Sequence, residues 1–141
     1  MSDLAGVVGD GSFLMTGPEL LAASRLGLNP FVLLFNDGEL GIIREAQQEI
    51  YKRSSAIELP NPDFEALAKA YGADRFRISN DHEIEPVLKQ ALASSRFALV
   101  DARVEYRETT RYFKGASAAV ISRMPLAQKL RRAGRLLRRL F

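Results

Sequence analysis

Cysteine is absent from this chain of 141 residues, which excludes a disulfide framework and any thiolate metal site and fits a reducing, cytoplasmic setting. Histidine occurs once, at His82, so a Ser-His-Asp triad would have to be built on that residue. Its neighbours Asp81, Glu83 and Glu85, at a predicted helix start, make a solvated histidine the plainer reading. Long hydrophobic runs are also missing. None approaches the roughly 20 residues that span a bilayer, and the opening "MSDLAGVV" lacks the positive leader and apolar core of a signal peptide. A soluble protein is expected. The glycines at 9, 11, 17 and 27 do not fall in the G-x-G-x-x-G spacing of a dinucleotide fingerprint. "GDGSF" likewise lacks the glycine two residues after Ser12 that a nucleophile elbow requires.

Charge is unevenly spread. Seven Lys or Arg and no acid fall within residues 122–141; removing them from the net charge of +3 leaves about −4 for the first 121 residues. The basic character therefore belongs to a tail, and nucleic acid is not an expected partner of the domain. In that tail, "PLAQKLRRAGRLLRRLF" sets Leu126, Leu130, Leu137 and Phe141 near one helical face, with Lys129, Arg131, Arg132, Arg135, Arg138 and Arg139 largely elsewhere. This is a basic amphipathic helix, suited first to docking on the acidic body or a partner subunit, next to lying on an anionic membrane surface, and last to contacting nucleic acid. The expected division is a domain over 1–107 and a connector with the basic helix over 108–141.

The body alternates strand and helix signals. Leu4 to Val8 is a short apolar run of the kind found in buried parallel strands, and "FVLLF", Phe31 to Phe35, is apolar without alternation. Between them a loop at Gly9 to Ser12 precedes a helix opened by Pro18 and closed by Gly27. Ile42, Ile43, Ala46 and Ile50 predict a second helix. Asn61 predicts the cap of a third, with Pro62 at its first position, Phe64, Leu67, Ala68 and Tyr71 on one face and Gly72 at its end. Arg75 to Ile78 and Phe97 to Val104 complete the strands, separated by a helix capped by Asp81. The order βαβααβαβ implies an α/β fold: a mostly parallel sheet with helices on both faces. Ligands in such sheets sit at the carboxyl ends of the strands. That rule selects the loops Gly9 to Ser12 and Asn36 to Gly41, each carrying an aspartate.

Magnesium takes a few hard oxygen ligands and commonly keeps phosphate oxygens in its shell. If the two strands are neighbours, Asp10 and Asp37 converge, while Gly9, Gly11 and Gly38 leave room for a diphosphate to which amides near Ser12 could donate. Acidic turn residues without a ligand explain the same spacing.

"GDGSF" at Gly9 to Phe13, followed by "ND" at Asn36-Asp37, resembles the thiamine diphosphate motif, which opens with Gly-Asp-Gly and closes with Asn-Asn or a close variant. The stretch Gly9 to Gln48 is similar throughout to the diphosphate-binding domain of acetolactate synthase-like enzymes, and "NPDFEALAKAYGAD" resembles the helix that follows. The resemblance covers roughly Leu4 to Arg107. It implies magnesium ligation by Asp10, Asp37 and the backbone carbonyl of Glu39, with Gly9, Gly11, Ser12, Asn36 and Gly41 forming the surroundings of thiamine diphosphate. Asp37 departs from the commoner asparagine and adds negative charge.

The same resemblance implies decarboxylation of a 2-oxo acid with transfer of a two-carbon unit, in a homo- or hetero-oligomer. The glutamate that activates the cofactor's pyrimidine ring lies in a separate domain in such enzymes, and the opening part of their diphosphate domain, which precedes the Gly-Asp-Gly strand, has no counterpart in this sequence. This sequence therefore reads as the C-terminal part of an enzyme that needs a pyrimidine-binding domain or subunit. The alternative is a non-catalytic remnant or interaction module that uses the basic helix to bind a partner or a membrane surface.

Overall fold

The computed structural model describes residues 4–106 and 122–128. The chain divides into two compact units, Met1–Tyr106 and Arg107–Phe141. Most of the expected basic helix lies outside the described residues. No helix among those described is long and apolar enough to cross a membrane.

The first unit is built on four parallel strands, β1 (Ala5–Gly9), β2 (Phe31–Asn36), β3 (Asp74–Ile78) and β4 (Ala98–Arg103), in the order β1-β2-β4-β3. Its helices are α1 (Asp10–Thr16), α2 (Leu20–Arg25), α3 (Gly41–Tyr51), α4 (Phe64–Ala70) and α5 (Ile84–Leu92), with short 3₁₀ turns at Gly17–Glu19 and Asp81–Glu83. The expected α/β order is present, with helices on both faces. Because side chains alternate along a strand, Val32, Leu34 and Leu99 point to one face, where they pack with Phe13 of α1 and Phe64 and Ala68 of α4. The rings of Phe13 and Phe64 meet edge-on at 5.8 Å. Phe31, Ala98, Val100 and Ala102 point to the other face, where Ala91, Val87 and Leu88 of α5 cover them.

Three expectations are corrected. β1 is an edge strand, not a buried one: it pairs only with β2, and Val7 is 64% exposed. Its five apolar-looking residues resemble a central strand because local sequence does not contain the missing neighbour. Next, the segment after Gly9 is not a loop. Asp10 is the first residue of α1, with Gly9 as its extended N-cap. Finally, Asn61 does not cap α4. Asp63 does, through Oδ1, which accepts from the amides of Glu65 at 2.8 Å and Ala66 at 3.2 Å. This leaves the Asn61 amide free to act elsewhere.

Helix α3 forms where the isoleucine spacing predicts it, with its isoleucines turned outward. None of its residues is buried; Ile42, Ile43 and Ile50 are 72%, 45% and 60% exposed, whereas Arg44, Glu45, Ala46 and Gln47 are half-buried.

Candidate functional site

Strands β1 and β2 run side by side in parallel, Gly9 opposite Phe35, so the residues that follow them emerge at the same end of the sheet. Asp10 comes directly off β1 and is 2% exposed. Its carboxylate is held by N–H donors on both oxygens: Oδ1 accepts from Gly11 N at 2.8 Å, and Oδ2 accepts from Gly38 N at 2.8 Å and from Asn61 Nδ2 at 2.6 Å. Buried carboxylates need such donors. The Gly38 contact joins the loop after β2 to the start of α1 and depends on backbone that glycine adopts readily, at φ +71°.

Asp37, next to Gly38, faces the same point. Its Oδ1 accepts a long contact from Glu39 N at 3.4 Å. Burial pushes its carboxyl above the ordinary 3.8, and the negative charge of Asp10 pushes it further in the same direction. Two neighbouring carboxyl groups whose negative charges repel attract a cation.

Asn36, the last residue of β2, is buried beside them. Its Oδ1 accepts from Asn61 Nδ2 at 2.9 Å, and its Nδ2 donates to Asp101 Oδ1 at 2.9 Å. Asp101 in turn accepts from Arg75 Nη2 at 2.6 Å. A continuous polar chain therefore crosses the sheet from Asp10 through Asn61, Asn36 and Asp101 to Arg75. Asn61 Oδ1 is buried without a partner in it.

Of the residues singled out in the sequence, Asp10, Gly11, Asn36, Asp37 and Gly38 come together. Glu39 lies beside them, with its carboxylate Oε2 paired to Arg44 Nη1 at 2.8 Å. Gly41 is packed tightly, since a Cβ there would stand 2.9 Å from Asp37 Oδ2. A Cβ on Gly11 would meet Leu40 Cδ2 at 3.1 Å. Gly9 and Ser12 are exposed at the start of α1, and the Ser12 carbonyl accepts from Thr16 Oγ1. His82 is exposed, away from these residues. Asn61 was missed as a site residue. Nothing local marks it, because its partner Asp10 is 51 positions away.

Among the described residues no three or more His, Cys, Asp or Glu side chains gather as a metal cluster. Two carboxylates alone suit a cation that completes its shell with phosphate oxygens and water.

Comparison with known proteins agrees with this geometry. Residues 2–102 match the model of the thiamine pyrophosphate enzyme C-terminal TPP binding domain. The chain is 32% identical over 105 residues to the catabolic acetolactate synthase of Raoultella terrigena, covering 74% of this chain and 19% of that protein. It is 37% identical over 99 residues to the indole-3-pyruvate decarboxylase of Azospirillum brasilense, covering 70% of this chain and 17% of the relative. With the large subunit of acetolactate synthase isozyme 3 from Escherichia coli the identity is 36% over 107 residues, 72% of this chain and 19% of the other. Among solved structures, the thiamine diphosphate-dependent 4-hydroxybenzoylformate decarboxylase of Rhodococcus jostii shares the fold, with a TM-score of 0.67 at 24% identity over 74% of this chain and 20% of that one. The chain thus spans about a fifth of the length of these relatives.

Thiamine diphosphate with Mg²⁺ fits the residues present. Hard oxygen donors stand at the ends of adjacent strands, Gly11 and Gly41 sit where a Cβ would crowd the loop, and the orphaned Asn61 Oδ1 lies alongside. The chain belongs to the thiamine pyrophosphate-dependent enzymes, as their C-terminal, acetolactate synthase-like domain that binds thiamine diphosphate with Mg²⁺.

Proposed function

We propose that this chain supplies the magnesium and diphosphate half of an enzyme that decarboxylates a 2-oxo acid and transfers the resulting two-carbon unit. The observation that carries the reading is the meeting of Asp10 and Asp37, from the ends of two paired strands, within one hydrogen-bonded cluster. Names of the relatives agree in class: acetolactate synthases and a decarboxylase of a 2-oxo acid.

In this reading Asp10, Asp37 and the Glu39 carbonyl hold Mg²⁺. Asn36 and Asn61 fix the Asp10 carboxylate, and Gly9, Gly11, Ser12 and Gly41 border the diphosphate. Bound thiamine diphosphate supplies the carbanion chemistry. The residues of this chain bind and orient, and the one histidine is exposed. Three N–H donors hold the Asp10 carboxylate in place, while the crowding of Asp37 by Asp10 makes cation binding and diphosphate binding depend on each other.

The rest of the cofactor's environment comes from a pyrimidine-binding domain or subunit. Support lies in surface that this chain leaves bare: Val7 on the β1 edge and Ile42, Ile43 and Ile50 of α3 are exposed apolar side chains. The assembled enzyme is an oligomer. The test is reconstitution. Mixed with the pyrimidine-binding part of an acetolactate synthase-like enzyme, the chain should support release of carbon dioxide from pyruvate in the presence of thiamine diphosphate and Mg²⁺. Turnover by the purified chain alone would overturn the division of labour, and inactivity of every such mixture would overturn the function.

A further inference from the structure

An open cavity of about 410 Å³ lies on the sheet face that carries the polar chain, and Arg75, Arg77 and Arg103 are among its walls together with Asn36, Asn61 and Phe64. Asp10 and Asp37 are not. The three arginines share a face by register. Arg75 and Arg77 are two apart on β3, Arg77 is opposite Asp101 on β4, and Arg103 is two beyond Asp101. Alternation of side chains puts all four on one side of the sheet.

Asp101 and Glu65 pair with Arg75 and Glu83 lies within electrostatic reach of Arg77, whereas no acid among the described residues pairs with Arg103. Asp101 is engaged by Asn36 and Arg75, and Asp63 is engaged by the amides of Glu65 and Ala66. Glu65 reaches Arg75 at 3.3 Å. Arg77 and Arg103 make no ion pair among the described residues. Arg75 adds a second sign of an incomplete site: its Nε is buried with no acceptor. A buried donor without an acceptor is destabilising, and an oxyanion in the cavity supplies the acceptor it lacks. Guanidinium groups match the paired oxygens of carboxylate and phosphate.

We propose that the cavity bounded by Arg75, Arg77 and Arg103 is a binding site for a small oxyanion, a carboxylate or a phosphate, separate from the magnesium site. It stands beside the cofactor loop through Asn36 and Asn61, so that its occupancy and the order of that loop are coupled through the Asp101–Asn36–Asn61 chain. It does not rest on the proposed reaction.

The experiment measures binding to the full chain by thermal shift and calorimetry. Inorganic phosphate and succinate are the two arms, chloride at matched ionic strength is the control, and every titration is run with EDTA present. At least one arm should raise the unfolding temperature and bind saturably where chloride does not; the tighter arm identifies the anion's class. Arg77→Gln and Arg103→Gln, both at exposed positions, should each weaken binding by about tenfold, a loss of about 1.4 kcal/mol, without changing the unfolding temperature in chloride. Equal shifts with chloride, no saturable binding of either anion in EDTA, or unchanged affinity in the Arg77→Gln/Arg103→Gln double variant would each overturn the proposal.

Discussion

Asn61 Nδ2 lies 2.6 Å from Asp10 Oδ2 and 2.9 Å from Asn36 Oδ1, so a single side-chain amide ties the end of β1 to the end of β2. Asn61→Ala removes a donor from a buried carboxylate and an acceptor's partner at once. The expected loss of stability is about 1–3 kcal/mol, read as a lower urea midpoint. Cation affinity should fall as well, because Asp10 keeps Gly11 and Gly38 as donors but loses the contact that links it to Asn36. Titration with Mn²⁺, followed by electron paramagnetic resonance, measures that second effect separately from stability.

Asp37 faces Asp10 across the site with its carboxyl raised by burial and by that neighbour. Asp37→Asn removes the repulsion. The metal-free variant should therefore unfold at a higher temperature than the parent near neutral pH, while the rise produced by adding Mg²⁺ should be smaller. Thermal unfolding with and without Mg²⁺ gives both numbers. An unchanged response to Mg²⁺ would remove Asp37 from the ligands.

Gly41 and Gly38 separate crowding from backbone strain. In Gly41→Ala the new Cβ would meet Asp37 Oδ2 at 2.9 Å, and the carboxylate, being the movable partner, turns away. Cation affinity should drop with little change in stability. Gly38 has φ +71° and open space at its Cβ position. Gly38→Ala should therefore cost about 1–2 kcal/mol from the left-handed backbone alone, visible in denaturant unfolding with or without metal.

Away from the site, Asp74 forms an ion pair with Arg96 and accepts from Ser94 Oγ. The Arg96 hydrogen bond is the main reason its carboxyl lies below the ordinary 3.8. A carboxyl lowered on folding stabilises the fold above its unfolded pKa, and that contribution is lost as pH falls through the folded value. Asp74→Asn should thus be less stable than the parent at pH 6, with the gap closing as the pH drops below about 3.8. Urea midpoints across that range test it.

How much of this was legible depended on where each residue's partners lie. Strand β2 was readable because Phe31 to Phe35 are covered on both faces and their sequence says so. The same apolar signature misled at β1, where the exposure of Val7 is set by a strand that does not adjoin it here. Gly9 and Gly11 suggested a loop, since glycine disfavours helix interiors, yet α1 begins at Asp10. At the start of α4, Asn61 and Asp63 are both good caps, and Pro62 favoured the former. Asp63 prevails because the Asn61 amide is taken by Asp10 and Asn36, contacts that span 51 and 25 positions and leave no local trace. Asp10 and Asp37 themselves were visible as acids after strands, and the family pattern supplied the link between them.

The central claim is that this domain holds thiamine diphosphate through a divalent cation at Asp10 and Asp37. Isothermal titration of thiamine diphosphate, with Mg²⁺ and again with EDTA, tests it most directly, first on the chain alone and then with a pyrimidine-binding subunit. Binding should be weak or undetected for the chain alone, and in the complex it should require Mg²⁺ and be lost in Asp10→Asn. Binding that is equally strong in EDTA, or absent from the complex with Mg²⁺ supplied, would contradict the account.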